Sequence, residues 1–223
     1  MRFIKIFYCS AVLLLLSSIE AASQNQIPLS IKPTPDISIS LLGSSNKVSI
    51  RGLSVVNDNI FWASGSGGMI AKSTDGGKNI EWTQVPGFEK RDFRDIEAFD
   101  QNTAIIMAVD QPAIILKTTD GGKNWKKVFE DTTTGMFLDA MHFEKVDGKL
   151  VGMVVGDPIK NKIFYAKTFD GGDSWIKPSK KELKYVPIVP DGEAMFASSG
   201  TNIAITNYSK DAPWLVVTGG TKS

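Results

Sequence analysis

Six side chains of this 223-residue chain could do chemistry together: Arg51, Arg94, Asp95, Asp139, Asp157 and Glu193. Two guanidiniums among four carboxylates can clamp a carboxylate or another polar ligand through charge-assisted hydrogen bonds. The same charges can instead pair with one another and lock neighbouring elements together. Other chemistry has little to draw on. One histidine, His142, and one cysteine, Cys9, remove most metal sites and most His-activated nucleophiles. Asp75-Gly76-Gly77-Lys78-Asn79 puts Gly77 and Lys78 where a calcium loop needs oxygen ligands. Gly65-Ser66-Gly67-Gly68 lacks the third glycine of a dinucleotide loop, and no Gly-Lys-Ser/Thr phosphate cradle occurs. No spacing singles out a carboxylate pair for acid–base work on a glycoside. The expectation is a site without catalytic residues, metal or cofactor, with the six charged side chains as its ligand-binding set.

An internal repeat is what would bring these residues together. KSTDGGKNIEW from Lys72, KTTDGGKNW from Lys117 and KTFDGGDSW from Lys167 align, placing Asp75, Asp120 and Asp170 at spacings of 45 and 50 residues. An apolar run precedes each: Gly68–Ala71, Ala113–Leu116 and Ile163–Ala166. The units also open alike, with Ser49–Leu53, Asp92–Ile96, Met136–Ala140 and then Asp191–Met195. A second apolar run follows each opening: Ile60–Ala63, Ala104–Met107, Leu150–Val155 and Ile203–Ile205. Several short strands per unit at this period are the pattern of propeller blades, and the helices that a parallel βα repeat needs are missing. The fold class is therefore all-β: a β-propeller of four-stranded antiparallel blades at about 47–90, 91–135 and 136–187, with a fourth begun at 188–223. Strand openings lie nearest the axis, so Arg51, Arg94, Asp95, Asp139 and Glu193 fall at one mouth of the channel. Asp157, in a Gly-Asp-Pro turn, joins them from the same side.

Turn chemistry accounts for the repeated motif. Paired glycines permit the positive φ of a tight hairpin. An aspartate can accept hydrogen bonds from amides of the turn, and a Ser or Thr hydroxyl supports the same knot. Ser73, Asp75 and Gly77, then Thr118, Asp120, Gly122 and Trp125, then Thr168, Asp170, Gly172 and Trp175 are read as these structural residues. The tryptophan would fold into the gap between sheets. In the first copy Ile80 replaces it and Trp82 comes two residues late, which predicts a wider turn with Trp82 in the packing role. Trp62, Trp82, Trp125, Trp175 and Trp214 are all expected in the core, and His142 as a packed or half-exposed strand residue.

Ser/Thr-x-Asp-x-Gly-x-x-Trp resembles the Asp-box, or BNR repeat, of sialidases, sortilin-type receptors and related propellers. The second and third copies match it at every defined position. With IRGLSVV, FRDIEAF, VVGDP and GEAMFASSGTN, the chain from about residue 40 to 223 resembles bacterial secreted relatives of the photosystem II assembly factor propellers. That resemblance implies a closed parent of six or seven blades, so the chain reads as an N-terminal fragment, an open arc. It also implies a binding or assembly role. A sialidase would need three arginines spread over several blades. Here Arg91 and Arg94 share one loop, and Phe93-Arg94 runs into Asp95-Ile96 rather than Ile-Pro.

The first 23 residues read as a secretory signal peptide, with Arg2 and Lys5 ahead of an apolar run from Ile6 to Leu16 that is too short to span a bilayer. Its removal would take away Cys9 and leave 23 basic against 23 acidic residues. That balance argues against nucleic acid as a partner. Residues 24–40, with three prolines, read as an extended segment before the propeller portion at 41–223. The sequence thus predicts a periplasmic or extracellular, non-catalytic propeller that binds a protein or glycan and does not span the membrane. The alternative is a sialidase-like glycan-processing enzyme whose catalytic residues lie in further blades.

Overall fold

Apolar runs bounded by glycine-rich turns become strands buried on both faces, and the computed structural model shows how these are shared between sheets. It describes residues 38–43, 48–196, 202–205 and 214–220; the signal-peptide reading and Cys9 lie outside them. The chain divides into units 1–41 and 42–223, and everything below concerns the second. Blade 1 comprises β1 (Ile50–Val55), β2 (Phe61–Gly65), β3 (Met69–Ser73) and β4 (Glu81–Gln84) in that spatial order, each pair antiparallel. Blade 2 repeats this with β5 (Phe93–Ala98), β6 (Ala104–Ala108), β7 (Ala113–Thr118) and β8 (Lys126–Asp131). Blade 3 has β9 (Leu138–Val146), β10 (Lys149–Ile159) and β11 (Lys162–Thr168).

Successive side chains of a strand point to opposite faces, and here each face meets a different neighbour. Ala104, Ile106, Ala108, Ile114 and Leu116 of blade 2 join Trp62, Ile70 and Val85 of blade 1. Ile105, Met107, Ala113 and Ile115 join Leu138, Met141, Phe143 and Val154 of blade 3. A third seam sets Ala140, Met153 and Val155 against Met195 and Ile203. The architecture is a β-propeller portion, an open arc of blades, as the repeat predicts.

Two elements differ from expectation. The fourth strand of blade 3 is reduced to one bridge, Lys167–Ile176. Pro178 stands where blade 2 has Val128, the extra residue of a bulge between Lys127 and Phe129, and the chain leaves the edge there. In the fourth unit, β12 (Glu193–Ala194) pairs with β15 (Gly219–Gly220) and β13 (Ile203–Ile205) with β14 (Trp214–Val216). The two runs read as consecutive strands thus do not pair with each other; both pair with the stretch 214–220.

The three Asp-boxes are superimposable knots. Thr118 Oγ1 donates to Asp120 Oδ1 at 2.9 Å and accepts from Gly122 N at 3.0 Å, while Asp120 accepts from Asn124 N and Nδ2 at 2.9 and 2.7 Å. Ser73 and Asp75, and Thr168 and Asp170, make the same bonds. The first turn is therefore not wider. Ile80 sits at the place of Trp125, while Trp82 lies in β4 opposite Ala71, half-buried and outside the core clusters. Trp62 is fully buried, Trp125 and Trp175 are partly buried against the seams, and Trp214 is half-exposed.

The second and third boxes also lock onto the preceding blade. A Cβ on Gly122, whose φ is 88°, would come within 3.3 Å of Trp62 and Ile70 of blade 1. Lys72 Nζ reaches across to the Gly121 carbonyl at 2.8 Å, and Lys117 Nζ does the same to Gly171 at 2.9 Å.

Thr118→Ala removes a buried hydroxyl with three partners and should cost about 1–3 kcal/mol in thermal or denaturant unfolding. Asp120→Ala should also lower the melting midpoint. Hydrogen bonds from Asn124 hold the Asp120 carboxyl at about 2, and Asp170 is likewise at about 2. A folded-state value below the unfolded one gives stability that is present above about pH 4 and lost as pH falls toward 2. Replacement of Asp120 should therefore cost less at pH 2 than at pH 7; an equal loss at both would contradict the knot.

Candidate functional site

One residue is inserted at the same place in each inner strand. Ile50 pairs with Gly65 and Gly52 with Ser64, which leaves Arg51 extra. Arg94 is extra between Phe93 and Asp95, and Asp139 between Leu138 and Ala140. Such bulges re-aim a side chain away from the sheet, and three in register aim Arg51, Arg94 and Asp139 at one mouth. The pairing sets Leu138, not Phe137, in the place of Phe93. The third unit is thus shifted one residue from the alignment of its opening segment, because the extra residue of each bulge is invisible to a comparison of apolar letters.

The charges at this mouth form a chain across the blades. Arg94 Nε donates to Asp92 Oδ2 at 2.9 Å, and Arg51 Nε stands 3.7 Å from the same oxygen. Asp92 was not among the predicted site residues, although it opens the repeated segment. Its Oδ1 is buried without a partner among the described residues, and so is Oδ2 of Asp139. Burial, then the charge of Asp157, pushes the Asp139 carboxyl up to about 7, with the Arg94 guanidinium acting against it. Asp157 Oδ1 accepts from Met195 N at 3.0 Å, tying blade 3 to the fourth unit, and burial raises its carboxyl too. Glu193 accepts from Thr218 Oγ1 at 2.9 Å. Asp157 and Glu193 share a cavity of about 380 Å³ with Lys160, Asn161 and Asp191.

Asp95 is placed elsewhere. It lies inside the seam between blades 2 and 3, where Oδ1 accepts from Ile96 N at 2.9 Å and Oδ2 from Met141 N at 2.8 Å. Both oxygens are spent as a staple, so Asp95 offers nothing to a ligand at the mouth. Arg91 also faces away from the mouth: its Nη2 donates to the carbonyls of Val109, Asp110 and Pro112 and holds that loop.

Sequence reasoning did not single out an acidic cluster further down the inner strands. Glu97 of β5 lies 3.9 Å from His142 Nδ1 of β9, and Glu144 lies 3.3 Å from His142 Nε2. His142 also meets the Trp214 ring edge-on at 6.3 Å. Burial, then Asp95 and Glu144, pushes Glu97 up to about 8, and burial pushes Asp95 up to about 7. Three residues separate Arg51, Arg94 and Asp139 from Ser54, Glu97 and His142 along equivalent strands. That equivalence was the available signal for this second level.

Among the described residues, no group of three His, Cys, Asp or Glu could hold a metal ion, and no helix is long and apolar enough to cross a membrane.

Antiparallel blades stacked face against face, with bulged inner strands lining a charged mouth, define a β-propeller. Residues 45–134 match the model of the family described as photosynthesis system II assembly factor YCF48. Among solved structures it is similar to "YCF48 bound to D1 peptide", at 19% identity and a TM-score of 0.46, covering 75% of this chain and 55% of that one. It is similar to YCF48 from Cyanidioschyzon merolae at 16% identity and a TM-score of 0.49, covering 81% and 60%. An ancestral GH74 enzyme matches at 17% identity and a TM-score of 0.45, covering 65% and 20%. The chain therefore spans little more than half the length of the two YCF48 structures. A search of curated proteins gives no match.

The buried acids predict a pH dependence of opposite sign to that of the Asp-boxes. Asp95 and Glu97 have folded-state values above their unfolded ones, so the folded chain holds more protons between about pH 4 and 8. Their contribution to stability is full below about pH 4 and is lost as pH rises toward 8. Glu97→Gln should flatten the fall in melting midpoint between pH 5 and 8 and raise the midpoint at pH 8. An unchanged slope would mean that Glu97 is solvated in the folded chain.

Proposed function

We propose that the chain is an exported, non-catalytic β-propeller that binds a segment of a protein at the mouth formed by Arg51, Asp92, Arg94, Asp139, Asp157 and Glu193. The observation that carries this reading is the pair of buried carboxylate oxygens with no partner among the described residues, Asp92 Oδ1 and Asp139 Oδ2, beside two guanidiniums. Unpaired buried acceptors cost stability unless a donor meets them, and an arginine held loosely at 3.7 Å can turn to an acceptor. A peptide offers both, through its N–H groups and its carbonyls or carboxylates. A glycan offers hydroxyls, but sugar rings favour aromatic platforms. The cavity that Asp157 and Glu193 share is lined by aspartate, glutamate, lysine, asparagine, proline, valine, alanine and glycine, without an aromatic side chain.

The family match over residues 45–134 supports an assembly or binding role. One solved YCF48 is described as bound to D1 peptide, and the reading here names a protein partner without naming which. The charged n-region and short apolar run of residues 1–23 support export to the periplasm or beyond.

A photo-crosslinking residue at position 51, in cells making the full chain, should give a discrete protein adduct. The same residue at position 149, the first of β10 at the far end of the strands, should give none. For the isolated partner, Arg51→Ala should weaken binding about tenfold, a loss expected of one charge-assisted contact. N-terminal sequencing of the mature chain should start at Gln24. Hydrolysis of aryl glycosides that is lost in Asp139→Asn would sink the binding reading in favour of a glycan-processing enzyme.

A further inference from the structure

The outer edge of blade 3 is unlike those of blades 1 and 2. In blade 2, Ala113 and Ile115 of β7 pair with Asp131 and Phe129 of β8. Their equivalents in β11 are Ile163 and Tyr165, and neither has a strand partner on that side. The chain bridges β11 at Ile176, leaves at Pro178, and returns at Ile188 opposite Lys162. Lys167 exchanges hydrogen bonds with Ile176 on this edge, at 2.9 and 2.7 Å, and Asn161 O accepts from Val189 N at 2.8 Å. By the alternation of a strand, the main-chain groups of Ile163 and Tyr165 point the same way; the bridge between Lys162 and Ile188 engages the Ile163 N–H, while the Ile163 carbonyl and both groups of Tyr165 bond to no described residue.

The departing stretch, residues 177–184, walls a cavity of about 650 Å³ that runs along this edge. Met136, Ile159, Phe164 and Leu183 give it an apolar lining. Its charge is one-sided: Lys160, Lys162, Lys177, Lys180 and Lys184 surround it against a single carboxylate, Asp131. Lys177 already neutralises Asp131 at 3.0 Å. Lys162 Nζ donates to the carbonyls of Leu183 and Val186, at 2.6 and 3.2 Å, and ties the wall to the sheet. Glu182, on the same wall, lines the adjoining cavity, and its carboxylate accepts from Ser179 N at 2.7 Å. Lys160, Lys180 and Lys184 are exposed and have no carboxylate partner among the described residues.

We propose that the edge of β11 is a second binding site, which takes an extended acidic peptide segment of a partner protein as the fourth strand that blade 3 lacks. Strand addition draws affinity from main-chain hydrogen bonds and specificity from alternate side chains. Here the Ile163 carbonyl and both main-chain groups of Tyr165 supply the first. The apolar lining takes one set of side chains, and the lysines select carboxylates on the other. An anionic amphiphile would use the lining and the lysines but would leave the edge groups of the strand unbonded.

The test uses the full chain and a labelled, acetylated eight-residue peptide of alternating valine and glutamate, followed by fluorescence anisotropy. Saturable binding that weakens as salt rises is expected. The triple variant Lys160→Glu, Lys180→Glu, Lys184→Glu should lose about tenfold or more in affinity while its far-UV circular dichroism and melting stay unchanged. N-methylation of alternate peptide amides should abolish binding. Arg51→Ala with Arg94→Ala should leave it intact, which separates this site from the mouth and makes its failure independent of the proposed function. Absence of binding would leave the lysines as guards of an exposed edge and overturn the proposal. Binding that survives N-methylation or the triple variant would overturn it too, as would dodecanoate binding to the same lysines without any peptide binding.

Discussion

A strand buried on both sides cannot be satisfied by its own sheet, and this constraint governs the structure. β6 is buried at all five positions because alternate residues feed two different seams. Removing either neighbour would expose half of it. Each blade is therefore folded only as part of a series, and the polar contacts follow suit. Ser64 Oγ donates to the Phe93 carbonyl, Lys72 and Lys117 reach the next Asp-box, and Asp95 and Asp157 accept amides from the next inner strand. These bonds run in one direction along the chain, from each unit to the one after it. Folding energy is thus concentrated at the seams rather than within the sheets.

The mouth follows from the same constraint. An inner strand must pack tightly against the next blade, so its ordinary positions are occupied by side chains such as Phe93, Ile96, Leu138 and Met141. A bulge supplies one position outside that pattern, and Arg51, Arg94 and Asp139 occupy it in turn. The two arginines and Asp139 thus enter the mouth where the backbone has been given an extra residue. Asp95 shows what happens one position along: the side chain enters the seam, and its carboxylate is stabilised by two amides instead of a cation. Two residues further, Glu97 meets His142 and carboxylate neighbours, and burial holds it well above the usual carboxylate range.

Features that depend on local backbone chemistry were legible in the sequence. The paired glycines, the Ser or Thr two residues before each aspartate and the apolar runs specified the knots, the sheets and the fold class, because each is determined within a few residues. Features that depend on register were not. The slip of one residue at Leu138 and the partnership of Asp92 with two arginines both arise from counting across a bulge. The pairing of β12 and β13 with the single stretch 214–220 joins residues that no local pattern relates. Pro178 was a readable signal for the lost fourth strand of blade 3. Its weight is clear only once Val128 is recognised as its counterpart.

The same repeated residue therefore has different fates according to what its neighbour supplies. Lys72 and Lys117 each donate to a glycine carbonyl of the following Asp-box, whereas Lys167, their counterpart in blade 3, lies 5.5 Å over the ring of Tyr165. Ile96 is buried by blade 1, whereas Leu53, at the same position of the inner strand, is 65% exposed. Gly122 packs under Trp62 and Ile70, while in the first box Leu42 covers Gly77, so a short stretch before β1 takes the place that a preceding blade holds elsewhere. Sequence equivalence in such an array fixes the geometry a residue is offered. Whether that geometry becomes a core contact, a lock or an open surface is decided by the adjacent unit, which is why the outer edge of β11 and the mouth present free polar groups while their repeats do not.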